Sequence, residues 1–293
     1  MTTNDKRIPF RDALRGAADV LAGAGVIDPV VDAELLLAWT LGPEVSRGEV
    51  HAGLFCGDAL DAAQHARFRE LISRRATREP LQHITGSAPF RHLMLAVGPG
   101  VFVPRPETET VAQFAIDALA AAAEPEPIAV DLGTGSGAIA LAMATEVPHA
   151  RVYAVEKSDE AIAWTRKNVE AIAPRVELRH GDLANAFDDL AGRVAVVASN
   201  PPYVPDDAIP RDEEVRLHDP SLALYGGPDG LDVVRIISRV GLNLARAGGV
   251  IVLEHGEWQG EAIRELLTVD GWVGAATHPD LTARDRTTTA IRP

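Results

Sequence analysis

From residue 128 onward the sequence alternates between short apolar runs and amphipathic stretches. The strand candidates lie at 128–132, 151–155, 176–179, 194–199 and 249–254, with weaker candidates at 272–277 and 287–291. Strands that alternate with helices build a largely parallel sheet whose faces are covered by helices. The pattern therefore predicts an α/β fold for this part of the chain.

The first part of the chain has helical spacing instead. Apolar residues recur at helical intervals after Phe10, after Asp28-Pro29 and between residues 58 and 75, with no chemical motif among them. Glycines and prolines then punctuate two β-like pieces, 91–97 and 101–103, which indicate a hairpin. We predict a helical domain over 1–83, a β-hairpin linker over 84–104 and an α/β domain over 105–293. Five arginines are interpreted as a solvated helix face: Arg67, Arg69, Arg74, Arg75 and Arg78.

Composition excludes several classes of protein. The net charge of −14 argues against nucleic acid as the main partner, because phosphate binding needs a basic face, and it suits a basic protein partner. The single cysteine, Cys56, excludes a disulfide framework and a cysteine-rich zinc site. No apolar run approaches the ~20 residues of a membrane span. We expect a cytoplasmic monomer that needs no metal.

Asn200-Pro201-Pro202-Tyr203 directly follows the apolar run 194–199. Proline has no backbone N–H, so this strand end offers mainly acceptors: the Asn200 side-chain oxygen and the carbonyls of Asn200 and Pro201. Such a set, followed by an aromatic ring, suits a planar NH2 group, either an amide or the exocyclic amine of a base. The structural alternative is an Asn-Pro turn that ends the strand.

Three alternate glycines, Gly133, Gly135 and Gly137, lie between the first strand of the α/β pattern and the next helix. They permit a tight turn and a close approach of backbone to a ligand, without the spacing of dinucleotide or triphosphate loops. Glu156 ends the second strand, where an acid can accept ribose hydroxyls, and Asp182 follows the third, where an acid can hold an adenine amine. With Thr134 and Ser136, these residues suit S-adenosylmethionine. A solvated strand end for Glu156 and a helix cap for Asp182 are the alternatives.

With these residues placed, the chain resembles the peptide chain release factor glutamine N5-methyltransferases, a family of the class I methyltransferase fold with a Rossmann-like, mainly parallel seven-stranded sheet. The resemblance covers nearly the whole chain. It rests on the glycine loop and on these segments: 79–81 (EPL), 103–109 (VPRPETE), 199–203 (SNPPY), 219–224 (DPSLAL), 226–230 (GGPDG), Asp280-Leu281 and 284–286 (RDR). The asparagine motif alone is shared with amino-methyltransferases of DNA and RNA. Glu107 and Leu183 depart mildly from the usual family residues.

The resemblance implies methyl transfer from S-adenosylmethionine to the glutamine amide in the Gly-Gly-Gln motif of translation release factors. Asn200 and the Pro201 carbonyl would accept the amide N–H bonds, while Tyr203 packs on the amide plane. The helical domain would dock the release factor. Other residues assigned to the substrate are Pro202, Phe90 and Arg105, and Leu183 and Asn200 join the cofactor side. A proline-framed helix start is the alternative for Arg105 and Glu107, and a solvated strand end for Glu254.

Three other functions stay open at this point. The site would look the same in an enzyme that methylates a ribosomal protein glutamine, and the asparagine motif also permits methylation of a nucleic-acid base. A catalytically silent module that binds release factors is the non-enzymatic alternative. The intact glycine loop and Asn200 oppose the silent module, and the acidic charge opposes the nucleic-acid substrate.

Overall fold

The computed structural model describes residues 7–293, so the first six residues of the predicted helical domain lie outside the described part. Contacts divide the chain into two compact units. The helical unit contains the residues up to Gly86 together with Arg211–His218, and the sheet unit contains Ser87–Pro210 and Asp219–Pro293. The predicted domain boundaries do not anticipate that Arg211–His218 groups with the helical unit. None of the helices within 7–293 has the length and apolar character needed to cross a bilayer.

The helical unit packs its helices around one apolar core. The core includes Leu21, Leu36, Val50 and Phe68, all 1% exposed or less. Its elements are β1 (Ile8–Pro9), α1 (Phe10–Gly23), α2 (Pro29–Leu41), α3 (Arg47–Cys56), β2 (Ala59–Leu60), α4 (Ala62–Ala76) and α5 (Leu81–Thr85), and β1 pairs antiparallel with β2.

The predicted helices appear as α1, α2 and α4, but α3 was missed. Its N-terminal signal was present in the sequence, because Ser46 and Glu49 form a capping box.

Two arginines of α4 and its C-terminal turn do not lie on a solvated face, so that interpretation is wrong for them. Arg75 is 7% exposed and donates to Asp32 Oδ2 and Glu214 Oε1, each at 2.7 Å. Arg78 also donates to Glu214 Oε1, at 2.8 Å. These ion pairs attach Arg211–His218 to the helical unit.

The sheet unit contains one seven-stranded sheet in the order β10-β11-β9-β8-β5-β6-β7. Only the pairings of β11, with β9 and with β10, are antiparallel, which confirms the predicted mainly parallel sheet. The elements are β3 (Ser87–Phe90), β4 (Leu93–Ala96), α6 (Thr108–Ala120), β5 (Ile128–Leu132), α7 (Ala138–Glu146), β6 (Arg151–Glu156), α8 (Asp159–Ile172), β7 (Glu177–His180), β8 (Val194–Ser199), α9 (Glu213–His218, within the helical unit), α10 (Ser221–Leu224), α11 (Asp232–Leu244), β9 (Ala245–Glu254), α12 (Gly260–Asp270), β10 (Val273–Pro279) and β11 (Asp285–Ile291).

The predicted hairpin exists, but its strands are β3 and β4 rather than 91–97 and 101–103. Arg91 takes the left-handed conformation at the turn, with φ 52°. Ala88, Phe90 and Leu95 are buried in the core of the sheet unit. The hairpin is therefore an integral part of that unit's packing.

Candidate active site

The predicted site segments meet at one edge of the sheet. Strands β8, β5, β6 and β7 are parallel neighbours, so their carboxyl ends lie side by side, about 4.8 Å apart from strand to strand. Asn200 follows β8, the glycine loop follows β5, and Glu156 ends β6. Ser199 Oγ donates to the Leu132 carbonyl at 2.6 Å, which fixes the end of β8 to the start of the glycine loop. Strand order reverses between β5 and β8, the usual place for a ligand in such sheets.

The Asn200 side chain has one engaged end and one open end. Asn200 Nδ2 donates to Thr108 Oγ1 at 3.3 Å. Within residues 7–293, no hydrogen bond engages Asn200 Oδ1 or the carbonyl oxygen of the buried Pro201. Two acceptors therefore remain for a ligand that brings an NH2 group, as the motif predicts.

The backbone of the motif Asn200-Pro201-Pro202-Tyr203 is held by the 226–230 segment and by Gln259, to which sequence reasoning assigned no role. A Cβ on Gly226 would lie 2.4 Å from the Pro202 oxygen, and one on Gly230 would lie 2.2 Å from the Tyr203 oxygen. Only glycine permits this contact, which explains the GGPDG segment. Gln259 Nε2 donates to the Tyr203 carbonyl at 2.9 Å. Gln259 was missed, and nothing in its local sequence points to this contact.

Tyr203 and Glu254 form the inner wall beside the motif. Burial, with a further contribution from the negative charge of Glu254, raises the pKa of Tyr203, so the phenol is neutral. Glu254 is only 1% exposed, so the alternative of a solvated strand end is wrong. Its strand pairs with β8 through Leu253 and Ser199, which places Glu254 beside Asn200.

Arg105 and Phe90 have structural contacts that account for them without a substrate. Arg105 Nη2 donates to Asp219 Oδ2 at 2.7 Å, and its guanidinium carbon lies 5.0 Å from the centroid of the Phe102 ring. Phe90 is completely buried in the core. Roles for Arg105 and Phe90 at the glutamine entrance stay predictions.

The glycine loop combines left-handed backbone with open space. Gly133, Gly135 and Gly137 have φ values of 76°, 57° and 90°. A Cβ on Gly133 or Gly135 would meet no atom within 4 Å, whereas one on Gly137 would press on Leu141 at 3.1 Å. The first two glycines therefore border a cradle that a ligand can fill. The two residues between the glycines are buried: Thr134, which donates to Asp131, and Ser136, whose carbonyl accepts from Asn168.

The Glu156 carboxylate faces the loop and is 8% exposed, so it is not a solvated strand end. Its Oε2 accepts from the Gly135 N–H and its Oε1 from the Ser158 N–H, both at 2.8 Å. A carboxylate oxygen has two lone pairs, so both oxygens retain capacity for ribose hydroxyls. The loop cradle and this acid fit the nucleoside end of S-adenosylmethionine.

Asp182 satisfies its local backbone. Asp182 Oδ1 accepts from the Ala184 N–H at 3.0 Å, and Oδ2 accepts from Lys157 at 2.9 Å. These contacts lie in a turn, and no helix begins at this position, so the helix cap given as the alternative is not what Asp182 forms. Leu183 packs against the core of the sheet unit. The adenine roles of Asp182 and Leu183 stay predictions.

A glycine loop after β5, an acid at the end of β6 and an acceptor motif after β8 define a class I methyltransferase of the amino-methylating kind. The solved 16S rRNA N2 G1207 methyltransferase of T. thermophilus, in complex with AdoMet and guanosine, shares the fold, with a TM-score of 0.53 at 21% identity over 71% of this chain and 50% of that chain.

Relatives define the family. Residues 12–86 match the family model of the PrmC N-terminal domain, and residues 93–214 match that of the methyltransferase small domain. The release factor glutamine methyltransferase of Streptomyces coelicolor is 52% identical over 94% of this chain and 95% of its own length. The enzyme of the same name from Bifidobacterium longum is 44% identical, over 94% and 97%. This chain belongs to the release factor glutamine methyltransferase family.

One similar protein has a different substrate in its name. The 4-amino-L-phenylalanine/4-methylamino-L-phenylalanine methyltransferase of Streptomyces pristinaespiralis is 36% identical over 96% of this chain and 94% of its own length. An aromatic amine, like an amide, presents an NH2 group.

Proposed function

We propose that this protein transfers a methyl group from S-adenosylmethionine to the side-chain amide nitrogen of the glutamine in the Gly-Gly-Gln motif of translation release factors. The observation that carries the proposal is the pair of unengaged acceptors, Asn200 Oδ1 and the Pro201 carbonyl, at the strand end next to the glycine loop. Family membership at up to 52% identity supports the same substrate.

The chain's residues address the weak nucleophilicity of an amide nitrogen, whose lone pair is delocalised into its carbonyl. S-adenosylmethionine supplies an electrophilic methyl group. Once the nitrogen–carbon bond forms and the carbon–sulfur bond breaks, S-adenosylhomocysteine would be the leaving group. Positive charge would build on nitrogen, which would then release one proton to solvent. Asn200 Oδ1 and the Pro201 carbonyl accept hydrogen bonds from the two N–H groups of the substrate nitrogen. By analogy with oxyanion holes, each acceptor stabilises the developing positive charge by about 2–4 kcal/mol. Tyr203, a half-buried neutral phenol, covers the amide plane and excludes water.

The cofactor is held by the opposite side of the same edge. Gly133 and Gly135 leave space for it, and Glu156 accepts ribose hydroxyls while it fixes the Gly135 amide. Asp182 and Leu183 border the adenine. Holding the amide nitrogen and the methyl carbon about 3–3.5 Å apart supplies much of the remaining acceleration.

The helical unit, with no chemical motif of its own, is the docking element for the release factor in this proposal. The −14 charge favours a basic protein surface over nucleic acid. Release factors work on cytoplasmic ribosomes, so we place the enzyme in the cytoplasm, as a monomer.

The test is methylation of a purified release factor with isotope-labelled S-adenosylmethionine, with the site located by mass spectrometry. The label should appear on the Gly-Gly-Gln glutamine. Asn200→Ala should lower kcat by about 30- to 1000-fold, whereas Asn243→Ala, at an exposed position on α11, should not change it. An Asn200→Ala variant that works at the wild-type rate would overturn the assignment.

The same assay separates the competing functions. 4-Amino-L-phenylalanine is a second candidate substrate because of the Streptomyces pristinaespiralis relative. Ribosomal proteins, RNA and DNA form the other arms. Labelling of any of these with a higher kcat/KM than the release factor would replace the proposed substrate. Calorimetry with S-adenosylmethionine tests the silent module, which predicts no binding.

A further inference from the structure

Glu254 is a buried carboxylate beside the catalytic amide. It ends β9, one strand away from Asn200, and is 1% exposed. The side chains of Thr108 and Asn200 both interact with its carboxyl group. Its Oε2 has no hydrogen-bond partner among residues 7–293. Burying a charged group without a full set of hydrogen-bond partners costs free energy of folding, which suggests that the carboxylate has a functional role at this position.

Thr108 contacts Asn200 and also interacts with the carboxyl group of Glu254. It is the first residue of α6, is 3% exposed, and accepts from Asn200 Nδ2 at 3.3 Å. A hydroxyl has a single proton. If that proton is donated to Glu254, the hydroxyl can only accept from Asn200, and its partner must be the NH2 end of the amide.

The direction of these hydrogen bonds decides which end of the Asn200 amide, the oxygen or the NH2 group, faces the substrate. An ionised carboxylate only accepts, so it directs the Thr108 proton toward itself and draws the Asn200 NH2 group onto Thr108. Asn200 Oδ1 is then left for the glutamine. A neutral carboxyl group can donate, which reverses the direction and permits Asn200 to turn its NH2 group toward the glutamine. Two NH2 groups cannot bond to each other as donor and acceptor.

We propose that Glu254, together with Thr108, is a positioning residue that fixes the oxygen end of the Asn200 amide toward the substrate. This inference rests on the proposed amide methylation and adds a residue outside the asparagine motif. Glu254 itself need not touch the substrate.

The surroundings of Glu254 set the pH range in which it can act. Burial and the negative charge of Glu107 raise the pKa of Glu254. Thr108, Arg286 and Asn200 act in the opposite direction, and the net result is a pKa of about 7. Tyr203, which also lies near Glu254, is neutral throughout this range. Activity should therefore fall as the pH is lowered through neutrality.

The first test compares two substitutions at Thr108. Thr108→Val keeps the shape and removes the hydroxyl, and kcat should fall by about tenfold or more. Thr108→Ser restores the hydroxyl and should recover most of that loss. Thr40→Val is the matched control, because Thr40 is also buried and donates to Leu36 in the helical unit. It should leave kcat unchanged. Equal kcat in Thr108→Val and wild type would overturn the proposal.

The second test uses Glu254→Gln. Its kcat should fall by about 10- to 100-fold with little change in the KM for S-adenosylmethionine, and the remaining activity should be flat from about pH 6 to pH 8. Its melting temperature at about pH 8 should rise, because a buried charge has been removed. A merely structural residue would lower both melting temperature and activity. Wild-type kcat, or a wild-type pH profile in the variant, would overturn the proposal.

A readout without substrate separates this inference from the proposed function. The NMR signal of the Asn200 side-chain NH2, identified by its loss in Asn200→Ala, should shift in Glu254→Gln and in Thr108→Val but not in Thr40→Val. An unmoved signal contradicts the positioning chain even if release factors are methylated. A shifted signal with no methylation of release factors would instead reject the substrate.

Discussion

Two buried glutamates, one in each unit, show two ways of placing a carboxylate inside a protein. Glu214 of the helical unit is contacted by Arg75 and Arg78 and is 9% exposed. Glu254 of the sheet unit is more deeply buried, lies beside Thr108 and Asn200, and has one oxygen without a hydrogen-bond partner among residues 7–293.

The pKa values of the two carboxyl groups move in opposite directions. Burial alone would raise the pKa of Glu214, but its interactions with Arg78, Asp212 and Arg75 outweigh burial and lower it. At Glu254 burial prevails and raises the pKa to about 7. Glu214 therefore stays charged and serves stability, whereas Glu254 ionises only near neutral pH, and its charge is costly to the fold.

Breaking the paired cluster should give the largest effect. Arg75→Met removes a buried cation from Asp32 and Glu214, and breaking buried ion pairs in this way costs about 3–5 kcal/mol. Urea unfolding should show this loss. Arg74→Met is the matched control, because the Arg74 side chain is 41% exposed and forms its ion pair with Glu79. Exposed pairs contribute only about 0–1 kcal/mol. Similar losses in the two variants would contradict the distinction between buried and exposed pairs.

The pH dependence of two glutamate-to-glutamine variants should have opposite signs. Because the pKa of Glu214 is lowered in the folded protein, its charge stabilises the fold fully above pH 4.5, the ordinary pKa. This stabilisation is lost progressively as the pH falls below 4.5 toward the lowered pKa. Glu214→Gln should therefore be destabilising at about pH 7 and less so at about pH 3.

At Glu254 the raised pKa has the reverse consequence. Below pH 4.5 the Glu254 carboxyl group is neutral in both the folded and the unfolded state, and the protein keeps its full stability. As the pH rises to about 7, the unfolded state ionises first and the free energy of unfolding falls by about 3 kcal/mol. Glu254→Gln should thus gain stability over wild type as the pH increases from about 5 to about 8. Denaturant unfolding at several pH values measures both curves, and parallel curves would refute the contrast between the two glutamates.

Glu156 is an intermediate case, a buried carboxylate satisfied by backbone N–H groups. Glu156→Ala should weaken S-adenosylmethionine binding by about 1.5–3 kcal/mol for each ribose bond lost. Calorimetry measures the dissociation constant. Glu177→Ala, at an exposed position on the adjacent strand β7, provides the control and should bind normally. An unaltered dissociation constant in Glu156→Ala would place the ribose elsewhere.

Local patterns in the sequence were sufficient for the sheet. Strands β5 and β8 were predicted at their observed bounds, because short apolar runs rich in β-branched residues, alternating with helical stretches, are typical of buried strands. The hairpin was displaced because Pro89 was interpreted as a break. It lies instead at an exposed position of β3, where a missing N–H is tolerated.

The supporting contacts of the site could not be predicted, because they join residues far apart in the chain. Thr108 and Asn200 are 92 positions apart, and Arg75 and Glu214 are 139 apart. Glu254 looks like any acid at a strand end until the neighbouring strand is known. Residue type indicated the chemistry of Asn200, but the direction in which its amide points depends on the packing of α6 and β9 around it.

The smallest effect concerns the charge outside these buried groups. The −14 net charge should steer a basic release factor toward the enzyme. Raising the salt from 0.01 M to 0.15 M shortens the Debye length from about 30 Å to about 8 Å. The kcat/KM for intact release factor should then fall by about tenfold, while the value for a short uncharged Gly-Gly-Gln peptide should hardly change. Because the ion pairs of Arg75 and the carboxyl group of Glu254 are buried, kcat at saturating release factor should not respond to salt. A fall in kcat, or equal falls in kcat/KM for protein and peptide, would show that salt acts on the site itself rather than on the encounter.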